Sequence, residues 1–180
     1  MSFTRRKSAY EQAALYEYAV SALARRMRSV AELKRLLRQR VAGQSDGEGL
    51  VEAVVRKLKD QGYLDDSRYA AAYSSYRREN EKLGSLRVVR GLKSRGIHGD
   101  LIAQAVSATY AGVDEEKLAR AYLARKRMAK PANDRETAKI FRALARAGFS
   151  GATILAILRK WRVDEEVIGL LEEQGSQDIR

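Results

Sequence analysis

An internal repeat constrains this chain more than any other feature. Val89, Leu92, Gly96 and Ile97 are echoed by Phe141, Leu144, Gly148 and Phe149, at offsets 0, 3, 7 and 8. Ile102 and Val106 follow the first set at the same intervals as Ile154 and Leu158 follow the second. Glycine adopts the left-handed conformation cheaply and ends a helix there. The next apolar residue packs back on the finished helix, and the spacing of four beyond it predicts a second amphipathic helix. Leu33, Leu36, Arg40 and Val41 fall in the same frame, with arginine in place of the glycine. The glycine-rich stretch from Gly43 to Gly49 then predicts a longer loop before a helix from about Leu50 to Asp60.

A further helix precedes each pair. Its apolar stripes are Leu15, Ala19 and Ala22; Tyr69, Tyr73 and Tyr76; and Leu118 and Tyr122. Tyrosines at this spacing are expected in a core rather than as a base-stacking platform. Start signals agree. Ser29 and Glu32 form a capping box. Asp65 or Asp66 can cap the helix bearing Tyr69. Asp114, Glu115 and Glu116, and likewise Asp164, Glu165 and Glu166, put acids where a helix dipole favours them. The chain has a single proline, Pro131, which suits long helices with short connections. The expected fold is all-α: tandem three-helix repeats over 9–62, 63–112 and 113–173. A basic N-terminal tail (1–8) and a C-terminal tail (174–180) flank them. Each unit buries little surface alone, so the repeats are expected to stack into an elongated, curved array. A compact helical globule is the alternative.

The sequence offers little for catalysis. It has no cysteine, which excludes disulfides and thiolate metal sites, and no phosphate-binding loop of the G-x-x-x-x-G-K-[ST] type. The lone histidine, His98, sits in the turn Gly96-Ile97-His98-Gly99 without a second ligand nearby. Asp65-Asp66 could be an acid/base pair, but helix capping explains their position. Trp161 is expected to anchor a core. No cofactor is implied. No apolar run approaches the roughly 20 residues of a membrane span, and no apolar segment follows the basic start, so a cytoplasmic protein is expected.

Charge says more. The chain carries 35 Lys and Arg against 23 Asp and Glu, a net charge of +12. Such a field favours polyanions. Arg25, Arg26, Arg28, Lys34, Arg35, Arg38 and Arg40 crowd one region, and Arg120, Arg125, Lys126, Arg127 and Lys130 another. Any single basic run is equally explained as a solvated helix face. Arg87, Arg90 and Lys93, however, recur every three residues opposite Val89 and Leu92. The third helix of the middle unit opens on Asp100 and has no basic residue, which suits neither phosphate contact nor base reading. Two function classes remain: a regulator of a protein filament, or a helical DNA-binding protein such as a transcription or architectural factor.

Gly62-Tyr63-Leu64-Asp65-Asp66-Ser67-Arg68-Tyr69-Ala70 resembles the G-Y-L-D-D-x-R-[FY]-A stretch of the RecX family. Tyr73, Arg77, the segment Gly84 to Ile97 and the Ser29 to Leu37 helix start continue the resemblance. The spacer from Ala42 to Gly49 departs from it. The resemblance implies tandem three-helix repeats and a non-enzymatic regulator acting in DNA repair, recombination and the SOS response; a monomer is expected. It would bind the RecA–single-stranded DNA filament and restrain its ATPase, recombinase and coprotease activities. Single-stranded DNA would be touched weakly or through the filament, and no membrane is involved. The candidate contacts are Arg25, Arg28, Lys34, Arg35, Arg38, Arg68, Arg77, Arg78, Arg87, Arg90, Lys93, Arg95, Arg125 and Arg127. Gly62, Tyr63, Leu64, Asp65, Asp66, Tyr69, Tyr73, Gly96, Ile97, Gly148 and Phe149 are expected to build the repeat itself.

Overall fold

The computed structural model describes the backbone of residues 2–177 and the side chains of residues 11–171 and 173. Among them it is all helix. The first triplet is α1 (Ser2–Arg25), α2 (Val30–Arg40) and α3 (Gly47–Asp60). The second is α4 (Asp66–Glu79), α5 (Ser85–Lys93) and α6 (Gly99–Tyr110). The third is α7 (Glu115–Arg125), α8 (Asp134–Ala147) and α9 (Gly151–Lys160), and α10 (Glu165–Gln177) follows. Helical backbone thus covers most of both expected tails; their side chains lie outside the described residues.

The chain forms two compact units. One gathers the described residues up to Ala72 with Leu92–Ile102; the other gathers Tyr73–Gly91 with the described residues from Ala103 onward. In the first, α1, α2 and α3 share a core of Leu15, Ala19, Leu33, Leu37, Val54 and Leu58. Each fully buried leucine contributes about 1.5–3 kcal/mol. Ser29, fully buried, caps α2: its Oγ accepts from the Glu32 N–H at 3.0 Å and donates to the Arg95 carbonyl at 2.6 Å, while the Glu32 carboxylate accepts from the Ser29 N–H. Both halves of the capping box are therefore present. Asp65 caps α4 through the N–H groups of Ser67 and Arg68, and Asp66 reaches the Val30 N–H at 2.9 Å. Asp65 thus supplies the cap expected of one of the two acids, and Asp66 is spent at the start of α2 instead.

In the second unit, α7, α8, α9 and α10 bury Ala119, Leu123, Ile140, Leu144, Phe149, Ile157, Leu158 and Ile168 together. Tyr122 meets Phe149 edge-on at 5.9 Å. Gly148 ends α8 at φ +87, as its place in the repeat predicts. The start of α5 docks on that turn: the Gly84 N–H donates to the Ala147 carbonyl at 2.9 Å and the Leu86 N–H to the Gly148 carbonyl at 3.2 Å.

Several apolar stripes are displaced from expectation. The fully buried pairs are Leu33/Leu37, Val88/Leu92 and Ile140/Leu144, four residues apart. Leu36, Val89 and Phe141 are only half-buried at the margin. On α4, Tyr69 is buried but Tyr73 is half-buried and Tyr76 is 57% exposed; Ala70 and Ser74, both at 0%, hold the inner line. Trp161 is likewise half-exposed at the core edge, with the Arg120 guanidinium 5.8 Å over its ring.

Tyr110, at the end of α6, donates to the Leu83 carbonyl at 2.7 Å. Burial pushes its phenol up to about 12. The folded state therefore holds this proton more tightly than the unfolded chain, whose tyrosines titrate near 10. The stability it contributes is complete below pH 10 and is lost as pH rises through about 12. Thermal melts across that alkaline window should show wild type losing stability faster than Tyr110→Phe. Parallel pH profiles would place the alkaline loss at another group.

Candidate polyanion interface

The basic residues divide by what they already hold. In the first unit Lys34 pairs with Glu52 at 2.5 Å, and Arg38 grips Glu48 with both Nε (2.9 Å) and a terminal nitrogen (2.5 Å). The Arg38 hydrogen bond holds the Glu48 carboxyl below the usual range. Arg28 donates to the Ala22 carbonyl at 3.4 Å, and Arg68 to the Gly62 carbonyl at 2.7 Å. Arg95 lies 3.9 Å from Glu32. Both border Tyr69, whose phenol is raised first by burial and then by the Glu32 charge. Arg25 and Arg35 are exposed and have no ion-pair partner among the described residues.

The second unit shows the same division. Arg77 pairs with Glu81 one turn on and stacks 4.8 Å over the Tyr73 ring. Arg78 donates to the Thr109 carbonyl and to Glu79. Arg90 is exposed and, among the described residues, reaches only carbonyls, those of Leu86 (3.3 Å) and Ala145 (3.4 Å). Arg87, Arg125 and Arg127 are exposed without an ion-pair partner among the described residues. Lys93, the last residue of α5 and a member of the first unit, is likewise exposed without an ion-pair partner among the described residues. A committed cation must give up one partner to take another, so uncommitted ones offer the most to an incoming polyanion. Arg87, Arg90 and Lys93 therefore stand out within one short helix.

The residues assigned to the repeat mostly serve it. Gly62 and Gly96 are left-handed, both at φ +73, and Leu64, Ile97 and Phe149 are buried. Tyr63 instead stands 55% exposed. His98 lies 3.3 Å from Asp100, both exposed, and no metal-binding cluster occurs among the described residues.

Two features escaped sequence reading. Glu116 takes hydrogen bonds from Lys160 (2.6 Å) and Arg120 (3.1 Å), which hold its carboxyl below the ordinary range. Lys82, Arg127 and Arg162 have positive φ, at helix ends equivalent to those that Gly43, Gly62, Gly96, Gly112 and Gly148 close. One signal for the last was present: Gly112-Val113-Asp114-Glu115-Glu116 recurs as Arg162-Val163-Asp164-Glu165-Glu166.

Comparison with known proteins agrees with this architecture. Residues 65–106 match the family model described as RecX, second three-helix domain. The regulatory protein RecX of Deinococcus radiodurans is 34% identical over 153 residues, 83% of this chain and 69% of that one. That of Pseudomonas fluorescens is 33% identical over 148 residues, 82% of this chain and 91% of that one. The crystal structure of RecX from Lactobacillus salivarius superposes with a TM-score of 0.68 at 19% identity, covering 86% of this chain and 98% of that one. The all-helical chain, with its glycine-ended helix pairs and its acid-capped α4, belongs to the RecX family of regulatory proteins.

Proposed function

We propose that this chain binds the RecA–single-stranded DNA filament in the cytoplasm and restrains its ATPase, recombinase and coprotease activities, without catalysing a reaction itself. The observation that carries this reading is the outward row of Arg87, Arg90 and Lys93 on α5, exposed and without a carboxylate partner among the described residues. A filament of protein and DNA is a dense polyanion, and such a row meets phosphate or carboxylate oxygens through charge-assisted hydrogen bonds. Bare DNA is a weaker fit. The third helix of the middle triplet, α6, exposes Ala103, Gln104, Ser107 and Ala108 and opens on Asp100. It offers no cation to a phosphate and little to a base edge.

The test compares three binding targets at physiological salt: the RecA filament, bare single strand and bare duplex. Filament binding should be much the tightest, with inhibition of DNA-dependent ATP hydrolysis following the same titration. Binding to bare DNA should be indifferent to sequence and fall steeply with salt, as counterion release requires. Tight, salt-resistant preference for one duplex sequence would establish the DNA-binding reading instead.

A further inference from the structure

A hollow of about 290 Å³ opens in the second unit between the end of α4 and the first half of α7. It is lined by Val113, Leu118 and Ala121, all half-buried, and by the ammonium-bearing side chains of Lys82 and Lys117. We propose that this hollow docks a short acidic peptide segment through one aliphatic anchor side chain, with Lys82 and Lys117 receiving the flanking carboxylates. The site lies apart from the α5 row and does not rest on the reading given above for it.

Three observations support the choice of occupant. The first is charge. Arg78 and Glu79 line the same hollow but hold each other at 2.6 Å, and the Asp114 carboxylate is occupied by the Lys117 N–H at 3.0 Å. The Asp114 carboxylate keeps its charge while it accepts from that N–H, but Lys82 and Lys117, whose side chains have no hydrogen-bond or ion-pair partner among the described residues, leave the lining net positive. The second is the lining, which is almost wholly apolar and contains no aromatic ring. A nucleic-acid strand would need rings to stack its bases, whereas an aliphatic side chain needs only the surface present. The third is the backbone at Lys82, with φ +57. Glycine occupies the left-handed position at five other helix ends, Gly43, Gly62, Gly96, Gly112 and Gly148, and arginine at two, Arg127 and Arg162. A side chain there strains the chain, and each of the three ends that bears one bears a cation.

The test uses the full chain and labelled synthetic peptides of glutamate and serine, one with a central leucine and one with serine in its place. The leucine peptide should bind at least about tenfold tighter, the effect of burying one leucine side chain. Since the serine peptide feels the same overall field, the difference isolates the hollow. Lys82→Gly combined with Lys117→Gln should weaken the leucine peptide by about tenfold. Its melting temperature should match or exceed that of wild type, because glycine relieves the left-handed strain. Ala121→Met, which fills the hollow, should erase the advantage of leucine while leaving the serine peptide unchanged. Equal binding of the two peptides to wild type would overturn the proposal. So would a loss of oligothymidylate affinity in Ala121→Met as large as the loss for the leucine peptide, since the hollow would then be taking bases. A double variant that melts lower and binds the leucine peptide normally would assign Lys82 to helix capping and overturn its role.

Discussion

Gly148→Ala should destabilise the second unit by roughly 2–5 kcal/mol, read as a lower urea midpoint with an unchanged slope. Two effects add at this residue. Its φ of +87 is left-handed, a conformation that costs a residue with a Cβ about 1–2 kcal/mol. The added methyl carbon would also lie 2.1 Å from the Arg87 nitrogen and 2.8 Å from its Cα. Those are backbone atoms at the first turn of α5 and cannot swing aside, so α5 must lift from the end of α8; overpacking of this kind adds about 1–3 kcal/mol. Gly112→Ala separates the two. Its φ is +67, but nothing lies within 4 Å of an added Cβ, so only the conformational part, about 1–2 kcal/mol, should appear. Gly96→Val should also destabilise, at φ +73 and against the Ala31 methyl at 2.5 Å, though a side-chain neighbour can give more than a backbone one. Equal losses in Gly148→Ala and Gly112→Ala would mean that α5 yields freely at this contact.

The sequence makes Gly148 legible as a helix stop and hides it as a contact. A glycine seven residues into an amphipathic pattern, followed by an apolar residue, announces the left-handed turn because both causes are local. That Arg87 packs against it involves residues 61 positions apart, and no local pattern records this. The same division runs through the charge. Capping by Ser29 and Asp114 can be read directly, since the carboxylate or hydroxyl and its N–H partners lie within one turn. Pairing of Arg38 with Glu48, or of Lys34 with Glu52, depends on how α2 and α3 cross, and it withdraws cations that composition alone counts as available. Stripe register falls between these cases. Leu36 and Leu37 are equally apolar, and only packing against α1 and α3 decides that Leu37 is the buried one. Lys82 and Arg127 were the least legible, because nothing about a lysine or arginine marks a left-handed backbone; Arg162 is marked only by its place in the segment that repeats residues 112–116.

Reversing Arg87, Arg90 and Lys93 together to glutamate should leave the fold nearly intact and reduce filament affinity by about 100-fold. Stability changes little because all three side chains are exposed and none holds an ion pair among the described residues; exposed substitutions usually fall within about 0.5 kcal/mol each. The two ends of α5 also offset one another. A glutamate at 87 is favoured by the positive end of the helix dipole, and one at 93 is disfavoured by the negative end. Arg90 gives up only two long bonds to carbonyls, at 3.3 and 3.4 Å. Binding responds differently because each reversal replaces an attraction to a polyanion by a repulsion. At roughly 1 kcal/mol per reversed charge, three supply about 3 kcal/mol, or about two decades in affinity. The loss should shrink as salt is raised, since the Debye length falls from about 8 Å at physiological ionic strength to about 3 Å at 1 M. Circular dichroism and melting curves check the fold, and inhibition of RecA's DNA-dependent ATPase reads the affinity. A variant that melts like wild type yet inhibits at wild-type concentrations would remove α5 from the interface. The uncommitted cations Arg25 and Arg35, or Arg125 and Arg127, would then be the ones to reverse.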